Sequence, residues 1–199
     1  MKLDSVCVYC GSSVGRNPAH AAAAERLGVL LAEAGIRLVY GGGSIGLMGI
    51  LARSVISHGG EVLGIIPGFL KDREIALVDE AELIVTKDMH ERKRAMFDAS
   101  DAFVALPGGI GTLEEVVEMM TWMQLGQHRK PIVLADLDGF WRPLIDLLGH
   151  MDGEGFMHRH PRGADLYRVI DDIEAVLPAI KETLGAEAEA TLEGDTSLL

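Results

Sequence analysis

The sequence predicts an α/β fold: a single Rossmann-like domain, with one doubly wound parallel sheet carrying helices on both faces. Three observations predict it. Short apolar runs recur along the chain, among them Val6–Tyr9, Ile36–Tyr40, Val62–Ile66 and Phe103–Leu106. They read as continuous apolar stretches without in-and-out alternation, the pattern of strands buried on both faces. Helix-length segments stand between them, as crossovers between parallel strands require. The runs also end in glycine turns, and in such a fold the ligand lies at the carboxyl ends of the strands.

Each element follows in order. Val6–Tyr9 is a strand stopped by Gly11-Ser12-Ser13. Pro18 opens an alanine-rich helix that runs to about Ala34 and closes at Gly35, since proline suits the first helical position and glycine the residue past the last. Ile36–Tyr40 ends in Gly41-Gly42-Gly43, and a helix follows from about Gly46 to His58. Val62–Ile66 is stopped by Pro67-Gly68. Residues 69–80 are less regular and carry mixed charge. Glu82–Val85 is a strand, Asp88–Ser100 a helix, Phe103–Leu106 a strand and Thr112–Gly126 a helix. Ile132–Ala135 is a strand and Trp141–Gly149 a helix. Met151–Gly163 is a glycine- and histidine-rich loop, Tyr167–Ile170 the last strand and Asp171–Thr183 the last helix. Residues 1–185 are expected to form one α/β domain. Residues 186–199 are small and acidic and are expected to be a disordered tail.

A chain of 199 residues with 48% apolar content is long enough for one full core. No apolar run approaches the ~18 residues of a membrane span, and Met1-Lys2-Leu3-Asp4 lacks the layout of a signal peptide. A cytoplasmic protein with no membrane partner is expected. The net charge of −12 argues against nucleic acid, which needs a basic surface. Cys7 and Cys10 fall on opposite faces of the first strand or its end, so buried small residues are expected and not a redox pair. His150, His158 and His160, with Asp152 and Glu154, match no metal-ligand spacing, and no metal or other cofactor is expected.

Two glycine turns differ in weight. Gly41-Gly42-Gly43-Ser44-Ile45-Gly46 fits G-x-G-x-x-G, but the next strand ends at Pro67 without the acidic residue that holds a dinucleotide ribose. Leu47-Met48 after Gly46 excludes a Walker A loop. The second turn, Pro107-Gly108-Gly109-Ile110-Gly111-Thr112, leads from a strand straight into a helix. That geometry aims backbone N–H groups and the positive end of a helix dipole at an anion. Glu114 and Glu115 follow in the first turn. Thr112 and Glu115 also fit a capping box, which accounts for those two residues but not for the glycines before them. An anion held beside a fixed carboxylate points to an enzyme acting on a phosphorylated small molecule. In the preceding helix, Asp88-Met89-His90-Glu91 fits a capping box, which makes Glu91 structural. Arg92, Lys93 and Arg94 then point in different directions, so only one or two of them face a ligand.

Met89-His90-x-Arg92-Lys93 followed by Pro107-Gly108-Gly109-x-Gly111-Thr112-x-x-Glu115 resembles the Lonely Guy family, the cytokinin riboside 5′-monophosphate phosphoribohydrolases. Many of its relatives carry the label lysine decarboxylase. The resemblance extends from Cys10-Gly11-Ser12-Ser13 to Thr121-Trp122-x-Gln124-Leu125-Gly126. It implies a homodimer that hydrolyses the N-glycosidic bond of AMP and N6-modified relatives, releasing the base and ribose 5-phosphate. Arg92 and Glu115 would be the catalytic pair. Lys93, Gly108, Gly109, Ile110, Gly111, Thr112, Leu113 and Glu114 would line the nucleotide site, with Glu74 and Thr121 as further contacts and Met89 against the base. Ile110 stands where an aromatic residue is common. The alternative is a carrier module that binds nucleotide or anion without turnover. Such a carrier needs the anion cradle but no carboxylate beneath a sugar. A pyridoxal-dependent decarboxylase needs a Schiff-base lysine, and none of Lys2, Lys71, Lys87, Lys93, Lys130 and Lys181 stands in a context that argues for one.

Overall fold

The computed structural model describes residues 2–71, 81–157 and 165–196. In chain order the elements are β1 (Ser5–Tyr9), α1 (Pro18–Glu33), β2 (Arg37–Tyr40), α2 (Gly46–Ser57), β3 (Val62–Pro67), α3 (Gly68–Lys71), β4 (Glu82–Thr86), α4 (Met89–Asp98) and β5 (Ala102–Ala105). They continue with α5 (Ile110–Gln124), β6 (Ile132–Ala135), α6 (Arg142–Gly153), β7 (Arg168–Ile170) and α7 (Val176–Thr196). The 7-stranded sheet has the order β4-β3-β2-β1-β5-β6-β7, and every pairing is parallel.

The strands read as continuous apolar runs because each feeds two cores. Val6, Val8 and Cys10 point to one face, with Leu38, Tyr40, Val104 and Leu106, under Leu27, Leu31, Leu51 and Ile180 of α1, α2 and α7. Cys7 and Tyr9 point to the other, with Val39, Phe103 and Ala105, under Met96, Met119, Met120 and Met123 of α4 and α5. The two cysteines are free, buried and on opposite faces, as their spacing requires. The methionines of α5 are therefore core, and Trp122 packs edge-on against Phe97 at 5.1 Å.

Caps explain several boundaries. Asn17 accepts from the Ala19 N–H, with Pro18 in the first helical position. Asp88 accepts from the Glu91 N–H at 2.9 Å, and the Glu91 carboxylate accepts from the Lys87 N–H at 2.7 Å. Asp88 caps the helix as in a capping box, while Glu91 reaches one residue further back, to Lys87; tied up in this way, Glu91 is structural. Several boundaries move. α5 starts at Ile110, two residues before the sequence places it, so Thr112 is not its cap. α6 continues through Met151 to Gly153, where the Glu154 N–H closes it on the His150 carbonyl at 2.9 Å. The last helix is a 3₁₀ turn, Ile173–Ala175, leading into α7. α7 runs on to Thr196, through the segment expected as a tail, whose Ala, Glu and Leu residues are strong helix formers. Glu187 there pairs with Arg129 at 2.9 Å.

Candidate functional site

The strand order reverses between β1 and β5, and a crevice opens there above their carboxyl ends. Three loops interlock beneath it. The Gly11 N–H donates to the Pro107 carbonyl (3.1 Å), and the Leu47 N–H at the start of α2 donates to the Gly11 carbonyl (3.0 Å). Gly46 lies at φ +62°, and a Cβ there would stand 2.2 Å from the Ser12 carbonyl carbon. Glycine is thus required where the Gly41–Gly46 turn passes under the loop between β1 and α1. This packing is what the G-x-G-x-x-G spacing encodes here.

The β5–α5 turn forms one wall. Gly109 is the N-cap in extended conformation, and no side chain caps the helix. The Leu113 N–H bonds back to the Gly109 carbonyl (3.0 Å), so the N–H groups ahead of it are the helix's orphan donors. A Cβ on Gly108 would stand 2.1 Å from Thr112 Oγ1, whereas a Cβ on Gly109 or Gly111 would meet nothing within 4 Å. Thr112 is therefore buried over Gly108, and the space above Gly109 and Gly111 is open. Ile110 projects outward, 83% exposed, and Leu113 is half-buried.

The second wall is ionic. Arg92 Nη2 of α4 lies 3.2 Å from Glu115 Oε1 of α5, and the two residues are 8% and 9% exposed. Arg92 Nη1 also approaches the Met89 sulfur (3.8 Å), while its Nε is buried without a hydrogen-bond partner among the described residues. The guanidinium lies against Gly41: a Cβ there would meet Arg92 Nη2 at 2.4 Å. Lys93 turns the other way and bonds Glu114 (2.7 Å) and Glu118 (2.9 Å). Burial opposes its charge, but the two carboxylates outweigh burial and hold the ammonium above its ordinary value. Arg94 leaves the site and sits 5.5 Å from the Trp122 ring centroid. Below the pair, burial and then the negative charge of Glu115 push the Cys7 thiol up. Burial does the same to the Tyr9 hydroxyl, with Cys7 and then Glu115 adding to it.

The structure thus brings together Arg92, Glu115, Met89 and the turn Gly108–Thr112, with Lys93 and Glu114 at the margin. It does not bring in Thr121, which lies more than two turns along α5 with its hydroxyl donating to the Val117 carbonyl at 2.8 Å. Glu74, His158 and His160 lie outside the described residues. Sequence reasoning missed Gly41 as the seat of Arg92, Glu118 as a partner of Lys93, and a cavity of about 180 Å³ beside the glycine turn. That cavity is lined by Gly11, Ser13, Gly15, His20, Gly108 and Phe140, among others. The glycine at 41 is visible in sequence; the other two depend on contacts between distant segments. Two of the lysines are engaged elsewhere: Lys93 is held charged by two carboxylates, and Lys130 donates to the Phe97 carbonyl (2.6 Å).

A parallel α/β sheet with an open helix N-terminus and a buried arginine–carboxylate pair at its switch point defines a protein of the Rossmann-like class whose helix terminus suits an anion. Comparison with known proteins narrows this. A family model described as "Possible lysine decarboxylase" matches residues 48–180. A probable cytokinin riboside 5′-monophosphate phosphoribohydrolase of Oryza sativa subsp. japonica is 49% identical over 156 residues, 78% of this chain and 70% of that protein. A cytokinin riboside 5′-monophosphate phosphoribohydrolase of Arabidopsis thaliana is 44% identical over 191 residues, 92% of this chain and 88% of that one. The chain belongs to this family, the Lonely Guy phosphoribohydrolases. Among solved structures, the Moco carrier protein of Chlamydomonas reinhardtii superposes with a TM-score of 0.70 at 22% identity, covering 93% of this chain and 99% of that one. The molybdenum cofactor binding protein of Rippkaea orientalis gives 0.65 at 22% identity, covering 92% and 99%. At that identity the likeness is one of fold.

Proposed function

We propose that this chain hydrolyses the N-glycosidic bond of adenine nucleotides, AMP and N6-modified riboside 5′-monophosphates, to the free base and ribose 5-phosphate. The observation that carries the reading is the buried Arg92–Glu115 pair beside the open N-terminus of α5. Cleaving a ribose–purine bond develops positive charge on the sugar, as in other glycoside hydrolysis. Glu115, ionised and fixed by Arg92, stabilises that charge and accepts a proton from the attacking water. Water's oxygen joins the anomeric carbon, the bonding electrons leave with the base, the base takes up a proton from solvent, and Glu115 returns to solvent the proton it accepted. Thr112 and Glu115 stand one helical turn apart. A phosphate on the amides of Gly109–Thr112 therefore holds its ribose over the carboxylate. Arg92 orients the carboxylate and remains protonated throughout. Met89, beside Arg92, offers a polarizable surface to the base. A carrier requires the amides but gains nothing from burying the ion pair.

Incubating the purified protein with AMP and with isopentenyladenosine monophosphate, and separating the products by chromatography, tests this. Free base and ribose 5-phosphate are expected. Nucleotide that binds and is recovered intact would leave the carrier reading.

A homodimer is proposed from α5, whose outer face carries Ile110, Val117 and Leu125 at spacings of seven and eight residues, with Thr121 on the same face. Light scattering on the wild type and on Leu125→Glu tests it: a dimer is expected, weakened in the variant. No described helix is long and apolar enough to cross a membrane. Two unpaired thiols fit the reducing cytoplasm.

A further inference from the structure

The cavity beside the glycine turn has two walls of different origin. One is the turn Pro107–Gly109 at the N-terminus of α5. Facing it are the β1–α1 loop, the first turn of α1 and Phe140, which follows β6. His20 stands on the α1 side. It is 9% exposed, and its ring meets Phe140 edge-on with centroids 5.5 Å apart. Among the described residues its ring makes no hydrogen bond to another protein group. Its ring nitrogens are not sealed inside the protein, so they open onto the cavity and can bond a group that enters it. Its Nδ1 lies 3.5 Å from where a Cβ on Gly15 would stand, so the ring borders the glycine segment that lines the same space.

The ring is held there. Asn17 caps α1 through its Oδ1, and its Nδ2 donates to Asp138 Oδ2 across to the β6–α6 connection at 2.7 Å. Asp138 takes up φ +52°, a left-handed conformation that costs a non-glycine residue and persists only where its surroundings impose it. The clasp fixes the first turn of α1 against the loop that carries Phe140. His20 therefore meets the cavity with little rotamer freedom left to lose.

We propose that His20 is a specificity-determining residue for the phosphate of the substrate. Its imidazole donates a hydrogen bond to the phosphate group from across the cavity, opposite the amides of α5. The helix terminus supplies partial positive charge on one side, and the imidazole a directed donor on the other. The ester is thereby distinguished from an uncharged nucleoside. The inference rests on the nucleotide reading above but not on turnover.

The test uses His20→Phe, which keeps an aromatic ring against Phe140 and removes the donor, and His20→Gln, which restores an N–H. Affinity for ribose 5-phosphate is measured by calorimetry, and KM and kcat for AMP by base release. Adenosine serves as a competitor without phosphate. One charge-assisted hydrogen bond corresponds to about a 10- to 100-fold change in affinity. His20→Phe is expected to weaken ribose 5-phosphate and raise KM for AMP by that factor, leaving kcat and the inhibition constant of adenosine within about twofold of the wild type. His20→Gln recovers most of the loss. Unchanged affinity for ribose 5-phosphate in His20→Phe overturns the proposal. So does equal weakening of adenosine, and so does a wild type that binds no ribose 5-phosphate. A wild type that binds the phosphate ester but releases no base refutes the hydrolase reading alone, and the loss in His20→Phe still decides the role of His20.

Discussion

Replacing Glu115 by glutamine separates catalysis from architecture. The carboxylate lies 3.2 Å from Arg92 Nη2 in a place where both side chains are nine-tenths buried. Removing one partner of a buried pair costs about 3–5 kcal/mol, because a charge is left without compensation. Glutamine keeps a carbonyl acceptor for the guanidinium, so the expected loss is smaller, about 2–3 kcal/mol. For a chain of this length that lowers Tm by about 4–12 °C. A protein with typical stability of about 5–15 kcal/mol remains folded at 25 °C after such a loss, so kcat per folded molecule is unaffected by it. Removal of a positioned acid–base group, in contrast, lowers kcat by about 10²–10⁴. The assay is base release from saturating AMP at 25 °C, with Tm measured on the same preparation. A lowered Tm with kcat within a few-fold of the wild type would reduce Glu115 to a structural counter-ion of Arg92 and refute the mechanism.

Two further outcomes follow from the geometry. Gly108→Ala drives a Cβ to 2.1 Å from Thr112 Oγ1, whereas Gly109→Ala meets open space. The first is expected to lower Tm by several degrees, in the range of about 1–3 kcal/mol for overpacking. The second is expected to fold normally but to raise KM for AMP by crowding the amides. Equal behaviour of the two in both assays contradicts the arrangement of the turn. The second outcome concerns alkali. Burial first, and then the charge of Glu115, holds the Cys7 thiol above its ordinary value of 9.0, and Cys10 is raised for the same two reasons. The native state keeps these protons while the unfolded chain releases them, so stability is full below about pH 9 and falls as pH rises above it. Cys7→Ala with Cys10→Ala should flatten that decline by up to about 2–3 kcal/mol per pH unit in alkaline denaturation. The slope that persists includes Tyr9, Tyr167 and Lys93, whose raised values act in the same direction, and Lys130, whose value is lowered by burial and opposes them. An unchanged slope in the double variant contradicts the buried, protonated state of the thiols.

Much of this protein is written in short-range chemistry. Continuous apolar runs, glycine after each strand, Pro18 at a helix start and Asp88 with Glu91 at another determined the parallel α/β class, the order of its elements and the turn at 107–112. Each of these signals works within a few residues, where periodicity and capping act. The start of α5 departs from what the same kind of signal predicts. Thr112 and Glu115 have the spacing of a cap, but the fold folds Thr112 down onto Gly108 and begins the helix at Ile110. Local sequence left open which of three adjacent cations faces the carboxylate; the seating of α4 over β3 and β4 sends Arg92 inward over Gly41, Lys93 to Glu118, and Arg94 to Trp122. Tertiary structure also made the methionines of α5 core, and it brought His20 to Phe140 across 120 positions of chain. Those contacts depend on how helices seat on a sheet, and that is settled by packing over the whole domain, not by any local run of residues.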